Sequence, residues 1–443
     1  MSSPILHHHP SCCIVMANDA LKVEGGSLLS GTVEVSGSKN ASLFAMAAAL
    51  LAPGKSVLAG APDVGDVRNF ACLLEHLGAS VSFEESRIVI ETDHIYSREV
   101  PPELAGKSRA SVILLGPLVA RYGQAQVAFS GGCTIGTRPI GQHLKGLEAL
   151  GASINVRDGY LVVSTPRGFC GAEVKFDTPT ITGTVALMLA AVLAEGETTL
   201  TGPATEPEVG DLAKCLIEMG ADIRGCGTSR ITIRGCKVLR TYDYKVMGDR
   251  IECGTLMIAG TLVGDKLVVK GARSEHQTAL MRCLREIGAE IQLNADDSIT
   301  VSRAPDPKPI SLQTGPYPGF PTDLQPQMMA LLSVAGGTSQ ITEMVFMRRF
   351  LHGVELAKLG AHISIVGNCA KIDGTPTLHG AVVEGADIRG CASLLVAALV
   401  GAGESSVRNI HHMDRGFERL DVKLASVGAR ILRIRGALVE ETR

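Results

Sequence analysis

One phrase returns six times along this chain: an apolar stretch, a Gly-Ala pair, then a strand-like run. The glycines are Gly78, Gly151, Gly220, Gly288, Gly360 and Gly428, each four residues after a leucine (Leu74, Leu147, Leu216, Leu284, Leu356, Leu424), and they recur every 68 to 73 residues. Self-similarity at a fixed period constrains the architecture before any motif is read. A period near 70 is too long for the common solenoid repeats and suits a compact unit of two helices and several strands. Six such units fill a chain of 443 residues, which exceeds one ordinary core and divides naturally as three plus three.

Apolar residues make up 45% of the chain, with no Trp and 4% aromatics, so the core must be built from Ala, Leu, Val and Ile. The longest apolar runs, 41–52 and 185–194, fall short of the roughly 18 residues that a membrane span needs. They read as helices apolar on every side, hence buried within a domain. A formal net charge of −3 gives no reason to expect nucleic acid or an acidic membrane surface. Twelve cysteines are scattered with no Cys-x-x-Cys pair, and residues 1–15 lack the apolar core of a secretory signal. That pattern predicts reduced thiols and a cytoplasmic location. His7, His8 and His9 with Cys12 and Cys13 could bind a metal, but a disordered leader is the expected reading, with Met16 as an alternative start.

The second unit shows the expected order of elements. Residues 108–119 carry a helix pattern that should end near Gly123, and 124–130 alternate like a strand. A Gly-rich loop, 130–139, leads into a second helix over 140–150 that Gly151 stops. Residues 155–164 read as two short strands around Asp158-Gly159, a typical hairpin turn. The unit is therefore βαβαββ, and the other five follow suit.

Each unit offers two helix starts, and these are polar. First-helix starts carry Lys39-Asn40, Arg109, Thr180 with Thr182, Arg250, Asp323 and Arg389; second-helix starts carry Arg68, Arg138, Glu206 with Glu208, Arg349 and Arg415. A helix start presents free N–H groups and a partial positive charge that suit an anion. Lys or Arg there opposes the dipole, so helix stability gives no reason for them. A single such Arg is as readily solvated surface charge as a ligand. Repeated at equivalent places, they point to a shared cleft for phosphate or carboxylate.

The loop Gly131-Gly132-Cys133-Thr134-Ile135-Gly136-Thr137-Arg138-Pro139 is the most unusual segment. Its glycines allow tight turns, Arg138 would favour the Cys133 thiolate, and Pro139 suits the first turn of the next helix. A small buried apolar thiol is the ordinary fate of a cysteine, and it suits Cys72, Cys215 and Cys283 inside amphipathic helices better than Cys133. The loop lacks the Gly-Lys-Ser/Thr ending of a P-loop.

Five separated motifs occur in order: Gly37-Ser38-Lys39-Asn40, the Cys133 loop, Phe320-Pro321-Thr322-Asp323, Asp387-Ile388-Arg389 and Asp414-Arg415-Gly416-Phe417-Glu418-Arg419. From about Leu21 to the C-terminus the chain resembles the enolpyruvyl transferases, and the Cys-bearing loop resembles the branch acting on UDP-N-acetylglucosamine. The resemblance implies a two-domain inside-out α/β barrel, each domain of three βαβαββ repeats around buried helices. It implies a leader at 1–19, a discontinuous domain of 20–38 plus 248–443, and a second domain of 39–247 carrying the Cys133 loop. The implied reaction moves enolpyruvyl from phosphoenolpyruvate to the sugar 3-hydroxyl and releases phosphate, the first committed step of peptidoglycan synthesis. No metal or organic cofactor is implied.

By the same resemblance Lys39, Arg138, Arg389 and Arg415 hold the two anionic groups of phosphoenolpyruvate, with Asn40 beside them. A guanidinium fork suits such groups better than a point charge. Cys133 is the implied proton donor and the target of the epoxide fosfomycin, and Asp323 is the implied base at the sugar hydroxyl. Arg109, Pro139, Ile140, Gly141, Gln142, Thr178, Pro179, Thr180, Ile181 and the backbone of Val345 match positions that contact the UDP sugar. Thr178 stands where the family often has Lys, Gly141 where Asp is common and Met347 where Glu is common. All three departures lie toward the nucleotide.

Two other readings are open to the sequence: transfer to shikimate 3-phosphate, and a non-catalytic UDP-sugar sensor. The Cys133 loop speaks against the first, and retention of Lys39, Cys133, Asp323 and Arg415 against the second. Cationic helix starts on both halves are expected to repel across an empty cleft, with the anionic UDP sugar bridging them.

Overall fold

The computed structural model describes residues 19–128 and 140–436. Cys133, Arg138 and Pro139, with the Gly-rich loop around them and the leader through residue 18, lie outside the described residues.

All six Gly-Ala pairs end a helix in one way. The glycines take φ of 111°, 97°, 107°, 112°, 97° and 115° in chain order, the left-handed region that a Cβ penalises. The alanine N–H that follows each returns to the carbonyl of the leucine five residues back, at 2.9 to 3.2 Å. Those leucines, Leu74, Leu147, Leu216, Leu284, Leu356 and Leu424, are all buried. Chain reversal, satisfaction of an end carbonyl and an apolar anchor therefore coincide at each copy.

The strands form six four-stranded sheets of one design. In the second unit Glu99–Val100 runs parallel to Gln124–Ala128, which pairs antiparallel with Tyr160–Ser164, and Ser153–Arg157 closes the far edge. Asp158 and Gly159, at φ 51° and 80°, make the two-residue turn expected between the last two. Three sheets borrow a distant strand. Ala20–Glu24 lies between Glu404–Arg408 and Arg430–Ile434, Leu29–Glu34 runs parallel to Gly264–Lys270, and Asp243–Lys245 runs parallel to Lys55–Ala59.

The helices expected to be buried are buried. Every residue of Arg250–Val263 is enclosed, and Ile181–Ala191 and Ile388–Val400 are nearly so. Arg250–Val263, Gln325–Leu332 and Ile388–Val400 pack on one another, as do Leu115–Tyr122 and Ile181–Ala191, with the turn Ala49–Leu51 against the former. The apolar core falls into two clusters, one drawn from residues 41–246 and the other from 21–35 and 251–429. The first helix of each unit sits inside its cluster and the sheets lie outside. Among the described residues no helix is long and apolar enough to cross a membrane.

One expected helix is divided. Residues 109–114 form a 3-10 turn and only Leu115–Tyr122 is α-helical. Pro117 lies in the first turn of that α segment, where its missing N–H is harmless; further into a continuous helix its ring would clash with the carbonyl four residues back. Gly123 then caps it at φ 77°, as its position implied.

The chain passes between the clusters twice, at one place. Gly37 and Gly248 form an antiparallel bridge, Ser38 N–H donates to Met247 O at 2.7 Å, and Asp249 N–H donates to Ser36 O at 2.9 Å. A Cβ on Gly37 would stand 2.0 Å from Gly60 O, and one on Gly248 1.9 Å from Gly271 O, so both crossings are pressed against a neighbouring loop. Gly220→Ala, with φ of 107° and no atom within 4 Å of the new Cβ, is expected to cost only the backbone term, about 1–2 kcal/mol in urea denaturation. Gly78→Ala should cost distinctly more, since its Cβ would also lie 2.4 Å from His94 O.

Candidate active site

The second crossing ends at Asp249, which organises two helix starts. Its Oδ1 accepts from the N–H groups of Ile251 and Glu252 at 2.8 and 3.0 Å, capping Arg250–Val263. Its Oδ2 accepts from the backbone N–H of Lys39 at 3.1 Å, at the start of Lys39–Ala48 on the other side. Lys39 is thereby placed by a residue more than two hundred positions away.

Beyond it two carboxylates gather the cations. Asp66, the second residue of Gly65–Leu77, accepts Lys39 Nζ on Oδ2 at 3.1 Å and Arg415 Nε on Oδ1 at 2.8 Å. Burial pushes the Asp66 carboxyl up, but Lys39 and Arg415 outweigh it and hold it below its ordinary value. Asp323, in the short 3-10 turn Thr322–Leu324, accepts Arg349 Nη1 on Oδ1 at 2.7 Å, and Arg389 Nη2 and Nε on Oδ2 at 2.9 and 3.2 Å. Burial again works against the charge, and the Arg389 and Arg349 guanidiniums, with Lys39 further off, hold Asp323 well below the usual carboxylate range. Both arginines are buried, and Arg389 also lies over the Phe417 ring with its guanidinium carbon 5.0 Å from the centroid. Arg389 Nη1 and Arg349 Nε are buried donors without a protein partner among the described residues, which suits them to an added anion.

The expected repulsion between the two sides is thus offset where they meet. Lys39 belongs with one core cluster and Arg415 with the other, and Asp66 pairs with both, offsetting one of their two charges. Next to this group Arg250 Nε donates to Glu208 Oε1 at 2.9 Å in a buried ion pair that also joins the two sides. Glu206 accepts the backbone N–H of Tyr317 at 3.3 Å, and burial pushes its carboxyl up. The polar helix starts of five units therefore do meet.

A second group forms where Gly141–Ala149 and Ile181–Ala191 begin. Gln142 Nε2 donates to Asp177 Oδ2 at 2.9 Å, and Asp177 N–H returns to Gln142 Oε1 at 3.1 Å. His143 lies 3.0 Å from the Thr182 hydroxyl, and a Cβ on Gly183 would touch both Thr180 and His143. Ile140, Gly141 and Gln142 are so brought beside Thr178, Pro179, Thr180 and Ile181. Thr178 and Gly141 are exposed. Val345 is exposed and its N–H donates to Glu343 Oε1 at 2.9 Å. Asn40 and Arg109 are half-buried at their helix starts. Arg68 is an exception to the cleft pattern: it pairs with Asp63 over Phe83, and both charged side chains are half exposed. Cys215 and Cys283 are buried, and burial pushes both thiols up, the ordinary fate read for them.

Sequence reasoning missed Asp66, Asp249 and Asp177. Each is an acidic residue at or before a helix start, and each looks locally like a simple complement to the dipole. Arg349 was visible only as one polar helix start among many.

This architecture of two sets of buried helices wrapped by sheets superposes on a solved enolpyruvyl transferase, NikO from Streptomyces tendae. The TM-score is 0.84 at 26% identity, over 95% of this chain and 100% of that one. An EPSP synthase from Acinetobacter baumannii shares the fold alone, with a TM-score of 0.71 at 17% identity over 94% of this chain. This is a two-domain α/β enolpyruvyl-transferase fold. The family model described as EPSP synthase (3-phosphoshikimate 1-carboxyvinyltransferase) matches residues 23–424. UDP-N-acetylglucosamine 1-carboxyvinyltransferases from Anaeromyxobacter sp. (strain K) and Trichlorobacter lovleyi are 46% and 44% identical, each over 94% of this chain and at least 99% of the relative. The chain belongs to the UDP-N-acetylglucosamine 1-carboxyvinyltransferase family.

The Arg250–Glu208 pair gives a stability test. Arg250→Met leaves Glu208 buried without its cation and should cost about 3–5 kcal/mol in chemical denaturation. Adding Glu208→Leu should recover much of that loss.

Proposed function

We propose that this protein transfers the enolpyruvyl group of phosphoenolpyruvate to the 3-hydroxyl of UDP-N-acetylglucosamine and releases phosphate, the first committed step of peptidoglycan synthesis. The observation that carries this reading is the 46% identity, over essentially the whole of both chains, to a relative named for that reaction. The cation pairs at the meeting of the two sides support it independently. Phosphoenolpyruvate brings a phosphate and a carboxylate, and Lys39, Arg389 and Arg415, with Arg138 of the loop, are the groups proposed to receive them. Asn40 lies beside Lys39 and is read as a polar companion.

The chemistry is addition followed by elimination. The sugar oxygen bonds to the substituted carbon of the enol while its proton passes to a base, and the methylene carbon gains a proton. Asp323 is the proposed base, and it is ionised at neutral pH by virtue of its arginines. Cys133 is the proposed proton donor. Loss of a proton from the new methyl group and departure of phosphate then restore the double bond, so atoms and charge balance. Arg389 is both a proposed substrate ligand and the partner of Asp323, so anion binding and the strength of the base are linked. Cations already fixed in place stabilise shifting charge without reorganising.

The UDP sugar is assigned to the group around Gln142 and Asp177, with Arg109, Pro139, Ile140, Gly141, Thr178, Pro179, Thr180, Ile181 and the Val345 backbone. The two domains are taken as 39–247 and 20–38 plus 248–443, in keeping with the two core clusters. A cytoplasmic location follows the same reading, and the scattered free cysteines are consistent with it.

Purified protein is expected to release phosphate from phosphoenolpyruvate with UDP-N-acetylglucosamine and not with shikimate 3-phosphate. Release with neither would overturn the reading in favour of a sensor. Asp323→Asn should lower kcat by roughly 10²–10⁴-fold, the usual worth of a positioned base. Cys133→Ser should abolish covalent labelling by fosfomycin.

A further inference from the structure

Asp66 is bound to the opposite side of the molecule by more than its carboxylate. Its backbone N–H donates to Arg415 O at 3.1 Å, while its Oδ1 accepts Nε of the same arginine at 2.8 Å. Three residues away on each side, the seam continues: Asp63 N–H donates to Glu418 Oε1 at 2.8 Å, and Ser36 Oγ donates to the other oxygen of that carboxylate. A Cβ on Gly65 would stand 3.3 Å from both Cα and Cγ of Arg415, a tight contact that the absent side chain avoids. Residues 63–66 and 415–418 are thus joined by three hydrogen bonds, and Ser36 adds a fourth to Glu418.

Within this seam Asp66 gives one oxygen to each cation. Among the described residues it takes only Nε from Arg415, leaving both Nη groups of the fork for another acceptor, and one proton of Lys39, leaving two. The side chains of Lys39 and Asp66 are 11% and 10% exposed, whereas Arg415 is 41% exposed. Lys39 is thus as enclosed as the carboxylate, and Arg415 is the accessible member of the three. Two free cations at this separation would repel, and neither would keep one orientation.

We propose that Asp66 is a positioning residue that joins Lys39 and Arg415, from opposite sides of the molecule, into one cradle for an anionic group of the enol substrate. Asp66 does not touch the substrate; it acts through the two cations. The identity of the anion rests on the enolpyruvyl-transfer reading, whereas the three-residue cradle does not.

The test compares the full chain with Asp66→Asn and Asp66→Glu by phosphate release. Asp66→Asn should raise KM for phosphoenolpyruvate about tenfold or more, with KM for UDP-N-acetylglucosamine changed less than about twofold. Asp66→Glu, which keeps the charge, should recover most of that loss. An unchanged KM for phosphoenolpyruvate, an equal rise in both KM values, or a glutamate variant no better than the asparagine one would overturn the proposal. Titration with inorganic phosphate, followed by phosphorus NMR, separates this from the reading it rests on. If the wild type releases no phosphate from its substrates, weaker phosphate binding in Asp66→Asn still supports the cradle, and equal or tighter binding overturns it. Thermal melts of both variants identify an unfolded protein, in which case the glutamate variant alone decides.

Discussion

The two chain crossings at Gly37 and Gly248 are the constraint on which the rest of the structure depends. Both halves of the core are built from buried helices, and those helices start where the chain has just crossed or where the halves face each other. Because the crossings lie side by side, the starts of Lys39–Ala48 and Arg250–Val263 fall within reach of one carboxylate, that of Asp249. A residue larger than glycine would push either crossing off its neighbouring loop and separate those starts. Placement of Lys39 is thus a consequence of how the chain changes sides.

Around that point two carboxylates are each shared by two cations, beside one single pair. Asp66 serves Lys39 and Arg415; Asp323 serves Arg349 and Arg389; Glu208 serves Arg250. Ionised groups removed from water are costly unless paired and hydrogen-bonded. A carboxylate with two oxygens can hold two cations at fixed angles. The arrangement offsets part of the buried charge and, among the described residues, leaves Arg389 Nη1 and the Arg415 Nη groups for an incoming anion. It also keeps Asp323 charged, which a proton acceptor requires.

The composition follows from the same plan. Helices surrounded by other helices and by three sheets need small and branched side chains on every face, hence the abundance of Ala, Leu and Val and the absence of Trp. The second helices, with one apolar side, cover the outside of each core, and the glycine cap that ends each of them turns the chain directly into its next strand. Six uses of one cap make six units of nearly one length.

Much of this was legible before the coordinates. The Gly-Ala period located the end of the second helix in every unit, because a left-handed cap is a local backbone requirement that glycine alone meets cheaply. Continuous apolar runs announced buried helices, and polar helix starts announced the cleft, since Lys or Arg at such a place has no local use. What the sequence could not contain was the partnership of those groups. Asp66 and Arg415 are 349 residues apart, Asp249 and Lys39 210 apart, and nothing near any of them in the chain distinguishes a bridge from a dipole complement. Arg68, equally polar at an equivalent start, turned out to face solvent with Asp63. Propensities and caps are short-range and can be read along the chain. Which carboxylate holds which cation depends on through-space distances, set only once both cores have packed and the crossings have brought their helix ends together.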